Sequence, residues 1–253
     1  MYKIYQVTFT IYSWLLFVFI WMLSTLTALI LCVDTREKER VFNAVERFFS
    51  RIAFKLLGMH VEIHGLENIP RNEPVVFISN HQSMMDIKLS LAFIPINFSF
   101  ISKDTIFRVP ILGAYMTASG HIPIERTDDR KSYATLLTAV GKLTERKSLL
   151  IFPEGTRSED GQLGPFKRGI SLIILKSGRR VIPMAIYGSN QFMPKRGWLS
   201  YPDKRYVRIS FGKPLSFEES KTDREYTIYV TNKLRDEVSG LLRTLDTQKS
   251  LPF

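Results

Sequence analysis

The chain has 253 residues, a net charge of +11 and a single cysteine. One cysteine excludes an internal disulfide framework and any zinc site built on paired cysteines. The length leaves room for a membrane-associated leader and one domain of roughly 200 residues, enough to bury a full core.

Between Lys3 and Asp34 run thirty uncharged residues rich in Ile, Leu, Phe and Trp. A spanning helix needs about 20 apolar residues, so the run is long enough to cross a bilayer. Tyr2, Tyr5, Tyr12, Trp14 and Trp21 suit an interfacial position for part of it. A cleaved signal peptide has an apolar core of only about 7–15 residues. Bulky Leu31 also stands where a lipoprotein site needs a small residue, so the segment is expected to be retained. Its apolar character goes all the way round, which argues against a core helix. Thr8, Thr10, Ser13, Ser24, Thr25 and Thr27 keep open a helix that dips into one leaflet, as the alternative to a full crossing.

The first forty residues carry four basic and three acidic side chains, so +10 of the net charge sits on the remainder. A basic surface beside a membrane segment points to anionic lipid or phosphorylated ligands, at about 1 kcal/mol per well-placed Lys or Arg. It argues against nucleic acid as a partner. Only Lys3 precedes the apolar run, so the positive-inside rule puts the C-terminal part on the cytoplasmic side.

Residues 41–57 place Val41, Val45, Phe48, Ile52 and Leu56 on one helical stripe among Glu46, Arg47, Arg51 and Lys55, ended by Gly58. That pattern predicts a helix in the headgroup plane, with a helix packed on the domain as the alternative. Residues 1–58 are therefore expected to form the membrane-associated helices, and residues 59–253 an α/β domain.

From residue 61 short apolar runs alternate with helical stretches. Strands are predicted over 61–64, 75–79, 98–102, 121–125, 148–152, 180–187 and 206–211. Helices are predicted over 83–94, 130–146, 167–177 and 223–244, the last opened by a capping-box spacing from Thr222 to Glu225. The alternation predicts an α/β fold, a largely parallel sheet flanked by helices, behind an N-terminal helical membrane anchor.

Two polar clusters follow predicted strands, at the edge where open α/β sheets bind ligands. The first is SNHQSMMD, with His81 and Asp86. Residues five apart on a continuous helix are rotated by about 140°, so the two meet only if His81 lies in the turn before the helix. Ser83 as N-cap and Asp86 as third helical residue would allow it; the same spacing also suits an aspartate that simply caps a helix. The second cluster is IFPEGTRSEDGQLGPFKRG. Gly155, Gly161, Gly164 and Gly169 let backbone approach a ligand, Arg157, Lys167 and Arg168 bring charge, and Thr156 and Ser158 bring hydroxyls. Together they describe a phosphate or oxyanion pocket, with an ordinary solvated turn as the alternative. Glu154 is the odd acid there, suited to orient Arg157 or to accept from a substrate hydroxyl. Lys103 in SKDTIFRVPILG and Arg126 in GHIPIERTD also follow strands, and each alone reads as a surface charge.

NHQSMMD resembles the N-H-x4-D block of the glycerolipid acyltransferases, and FPEGTRS resembles their F-P-E-G-x-R-S block. SKDTIFRVPILG, GHIPIER and VIPMAIYGS follow in that family's order across about residues 60–215. The nearest pattern is that of the bacterial 1-acyl-glycerol-3-phosphate acyltransferases of the PlsC type. The resemblance implies transfer of an acyl chain from an acyl carrier protein or coenzyme A thioester to the sn-2 hydroxyl of lysophosphatidic acid, with no metal or other cofactor. It implies His81 as general base and Asp86 as its partner. Arg157 and Lys103 would hold the acceptor phosphate, Glu154 and Gly155 would support the acceptor site, and Arg126, Thr156 and Ser158 would add contacts. An acyl-Ser83 intermediate is the rival mechanism. Glycerol-3-phosphate or another lysophospholipid is the alternative acceptor, and a non-catalytic basic membrane adaptor is the alternative from a different class. The implied location is the cytoplasmic (inner) membrane, with the catalytic domain facing the cytoplasm. Lys195, Arg196, Trp198 and Tyr201 in MPKRGWLSYP are expected to touch lipid as well.

Overall fold

The structure, a computed structural model, describes residues 1–33, 35, 37–125, 129–145, 147–219, 221 and 223–247, with the side chains of 129–133 and 144 excepted. The uncharged run forms one helix, α1 (Tyr2–Leu31), long and apolar enough to cross a membrane. It folds back on α2 (Lys38–Leu56) as a hairpin: Tyr12 donates to Leu56 O, Ser24 to Glu46, and Cys32 Sγ lies against Lys38 O. α1 is apolar outward and polar inward. Gln6, Thr10, Ser13, Ser24 and Thr25 are buried, while Ile4, Ile11, Leu15, Phe19, Met22 and Leu26 are exposed. The buried hydroxyls of Thr10, Ser13 and Ser24 are satisfied locally or across the interface. Thr10 donates to Gln6 O at 2.7 Å and accepts the Ser200 N–H at 2.9 Å, and Trp14 Nε1 donates to Trp198 O at 3.1 Å.

α2 turns a different face inward than its predicted stripe. Phe42, Val45, Glu46, Ser50, Ala53 and Phe54 are buried, whereas Phe48 and Leu56 are exposed. The deciding contact is polar: Glu46 accepts from Lys88 at 2.7 Å and from Ser24 at 2.7 Å. Burial alone would raise the Glu46 carboxyl; the Lys88 ammonium, with hydroxyl donors beside it, outweighs that and holds it below its usual range. The helix ends where Gly58 takes φ +63° and Met59 N–H donates to Phe54 O, a left-handed C-cap.

The rest alternates as expected: β1 (His60–His64), β2 (Val76–Ser79), α3 (Met85–Phe93), β3 (Phe98–Lys103), α4 (Asp104–Phe107), α5 (Leu112–Ala118) and β4 (Ile122–Ile124). Then come α6 (Asp129–Thr144), β5 (Ser148–Ile151), α7 (Gly169–Ser177), β6 (Val181–Tyr187), α8 (Ser189–Phe192), β7 (Tyr206–Phe211) and α9 (Arg224–Thr247). Every predicted strand is present. The short helices α4, α5 and α8 had no counterpart in the sequence reading. Thr222 lies outside the described residues; α9 is opened by Asp223, whose carboxylate accepts the Tyr226 N–H at 2.9 Å.

The strand order is β1-β7-β6-β2-β5-β3-β4, parallel throughout except for the β6–β7 pair. Alternate residues of one strand feed different faces, as a doubly covered sheet requires. Phe77 packs with Phe42, Phe54 and Leu89 from the α1–α3 side, while its neighbours Val76 and Ile78 pack with Ala139, Ile173 and Val230 from α6, α7 and α9. The molecule is therefore an α/β sandwich whose α1–α2 hairpin covers one face.

Candidate active site

β2 and β5 lie side by side and parallel, with Ile78 opposite Ile151. The offset of 73 residues continues past the strand ends: the His81 N–H donates to Glu154 Oε1 at 2.8 Å. Two sequence blocks far apart in the chain thus become neighbours because their strands are neighbours. β6 flanks β2 on its other side, and Asn80 extends that pairing with its side chain, donating to Ile186 O and accepting Ile186 N–H at 2.9 and 2.8 Å. This anchoring role of Asn80 was not read from the sequence; a polar amide directly at a strand end was the available signal.

His81 lies in the turn before α3, and its Nδ1 meets Asp86 Oδ2 at 2.9 Å. The same oxygen accepts the Gln82 and Ser83 amides at 2.6 and 2.8 Å, and Asp86 is fully buried. α3 starts two residues later than predicted, so Asp86 caps the turn and fixes the imidazole together. Phe152 stacks on the imidazole at 4.2 Å between ring centroids. With Nδ1 donating to Asp86, Nε2 carries the lone pair. Ser83 is fully buried; its hydroxyl donates to Met193 O at 2.7 Å and accepts the Met85 N–H.

Glu154 has both oxygens occupied by backbone: Oε1 by His81, Oε2 by the Gly164 N–H at 2.9 Å. Burial raises its carboxyl above the usual range, and the Gly164 and His81 amides oppose that rise. Ser158 is brought to the centre through its backbone, donating to His81 O at 2.7 Å, while its hydroxyl goes to Asp160. Gly155 takes φ +71°, a conformation that favours glycine, and Lys167 Cε packs 2.8 Å from where a Cβ would stand. Thr156 is exposed and Arg157 half-buried; Lys195 Nζ donates to Arg157 O at 2.7 Å. Lys103 is exposed at the end of β3. Arg126 lies outside the described residues.

Beside His81 opens a cavity of about 350 Å³, lined chiefly by apolar side chains such as Phe100, Ile124, Leu136, Ile151, Ile170 and Ile173. Lys167, Ser102 and Gly155 also border it. A cavity of this kind, closed over by packing from both sequence halves, has no local sequence signal.

The sequence profile of the family described as Acyltransferase matches residues 60–187. A 1-acyl-sn-glycerol-3-phosphate acyltransferase of Pseudomonas aeruginosa is 34% identical over 194 residues, 76% of this chain and 74% of that one. The chain belongs to the 1-acyl-sn-glycerol-3-phosphate acyltransferase family. A chloroplastic member from Brassica napus is 34% identical over 202 residues, covering 76% of this chain and 58% of its own length. The chain spans about half the length of the plant and algal members that it matches. The crystal structure of the acyltransferase PlsC from Thermotoga maritima superposes with a TM-score of 0.80 at 26% identity, over 99% of this chain and 100% of that one. The acyltransferase match begins at β1 and ends with β6, so it contains both blocks that meet at His81.

Proposed function

We propose that this chain moves a fatty acyl group from an acyl carrier protein or coenzyme A thioester to the sn-2 hydroxyl of lysophosphatidic acid, giving phosphatidic acid. The observation that carries this reading is the imidazole of His81, oriented by a buried carboxylate and set at the mouth of an apolar cavity. The acyl tail occupies the cavity, which places the thioester carbonyl beside Nε2. The acceptor oxygen attacks that carbon while its proton passes to Nε2. Asp86 stabilises the imidazolium as it forms. Collapse of the tetrahedral adduct breaks the C–S bond, and the departing thiolate takes the proton from His81. Arg157 and Lys103, with Arg126, hold the acceptor phosphate; Gly155, Thr156 and Ser158 shape its loop. Ser83 supports direct transfer, because its hydroxyl is already engaged and buried.

The outward apolar face of α1, with Phe48 and Leu56 of α2, lies in the cytoplasmic leaflet and keeps the site at the headgroup plane. An acceptor drawn from that plane need not leave the bilayer, which spares about 0.8 kcal/mol per methylene. The test is transfer from a labelled acyl thioester to lysophosphatidic acid, glycerol-3-phosphate and other lysophospholipids. His81→Ala should lower transfer to lysophosphatidic acid by about 10²–10⁴. An unchanged rate, or preference for another acceptor, would overturn the reading.

A further inference from the structure

Two recesses meet at the His81–Gln82 peptide. His81 lines the apolar cavity, and Gln82 lines a groove of about 310 Å³ that opens between the 160–163 loop, α8 and the C-terminal part of α9. The groove presents uncharged hydrogen-bonding side chains: Gln82, Gln162, Tyr187, Asn190, Gln191 and Ser239. Its two acids are engaged already. Asp160 accepts from the Ser158 hydroxyl and the Gln162 N–H, and Asp246 accepts from the Tyr187 hydroxyl at 2.7 Å. Arg243 at the rim has no ion pair among the described residues. Gln82 ties the groove wall to the catalytic turn, donating to Gly161 O at 2.6 Å, while its Oε1 is buried with no donor among the described residues. α9 packs on the sheet face opposite α1–α3, so the groove wall that it forms stands on the side away from the exposed apolar face of α1.

We propose that this groove receives the phosphopantetheine arm of the acyl donor. The assignment rests on the acyl-transfer reading above. A thioester is two-faced at its carbonyl: hydrocarbon runs one way, and an amide-rich, water-soluble arm ending in phosphate runs the other. The two recesses flanking His81 divide in the same way. Amide N–H and C=O groups match the Gln, Asn, Ser and Tyr lining, and the phosphate matches Arg243. A donor entering from water on the α9 side meets an acceptor arriving from the membrane side without sharing a path.

Ser239→Trp fills the groove from α9, a helix that contributes no residue to the His81–Asp86 turn. Measured on the full chain in mixed micelles, it should raise KM about tenfold or more for both acyl-coenzyme A and acyl carrier protein. The KM for lysophosphatidic acid should hold. Turnover of the acyl-N-acetylcysteamine thioester, which lacks the phosphate and most of the arm, should also hold and reports an intact fold and centre. Arg243→Glu should raise KM for the phosphate-bearing donors and spare the acyl-pantetheine thioester. A donor KM unchanged in both variants, an effect on only one of the two carriers, or equal loss with the short thioester would each overturn the groove assignment while leaving acyl transfer standing. Failure of the wild type to use any thioester would overturn both.

Discussion

Replacing Glu154 by glutamine keeps the side-chain volume and removes one acceptor. Both native oxygens accept backbone amides, His81 N–H at 2.8 Å and Gly164 N–H at 2.9 Å. A glutamine offers one oxygen and one NH₂, so one of those amides must face a donor whichever way the side chain turns. A hydrogen bond to a charged group contributes about 1.5–3 kcal/mol. The bond at stake holds the backbone of the histidine proposed as general base, so its loss is expressed as time that His81 spends out of line. At about 1.4 kcal/mol per decade, that corresponds to a fall in kcat of about 10- to 150-fold. KM for the acceptor should stay within about twofold, because on this reasoning Glu154 never touches substrate. The assay is steady-state transfer with donor and acceptor varied in turn, alongside thermal unfolding of the same samples. An acceptor KM raised about tenfold with kcat intact would refute the reasoning and make Glu154 a substrate ligand.

Three further outcomes follow from the same geometry. Asp86→Asn can keep an oxygen where the imidazole and the two amides converge, but it removes the charge that stabilises the imidazolium, and should cost about 10²–10⁴ in kcat; a loss below about tenfold would separate Asp86 from catalysis. His121 is stacked on Phe100 and buried, and burial, helped by Lys142 and Lys88, lowers its pKa from 6.5 to about 3. The unfolded chain takes up that proton first, so stability is whole above pH 6.5 and falls as pH drops towards 3, by up to about 1.4 kcal/mol per unit. Urea titrations of His121→Gln across that window should show a shallower slope than the wild type, and identical slopes would dismiss the account. Lys88→Met strands the buried Glu46 and should destabilise by about 3–5 kcal/mol, while Glu46→Met added to it should restore most of the loss; a double variant as weak as the single one would contradict this.

The centre of the sheet was legible because β2, β5 and β6 are buried on both faces and read as apolar runs, from Val76–Ser79 to Val181–Tyr187. The His81–Asp86 contact was legible as a condition: five residues apart, they meet only across a turn, and the turn is there. What stayed hidden depends on partners distant in the chain. The inward face of α2 is chosen by Lys88 and Ser24, which no periodicity within residues 41–57 encodes. β7 runs antiparallel to β6 after a loop whose Ser200 N–H is taken by Thr10 from the other end of the chain, a contact that no local pattern encodes. The two backbone partners of Glu154 were hidden too, because they cannot be seen in a list of side chains. The polar residues of α1 were noticed, but their sequence positions did not say whether they faced lipid or protein.

That last orientation changes what the leader is. Phe9 packs edge-on against Phe192, Trp21 against Tyr115 and Phe17 against Phe54, so removing residues 1–33 would strip a wall from the interior instead of cutting a tether. A shortened gene would yield a protein with an open side. Handling the chain in water calls for amphiphile wrapped along the whole length of one helix, and in synthesis that helix precedes the surfaces of α2, α5 and α8 on which it comes to lean.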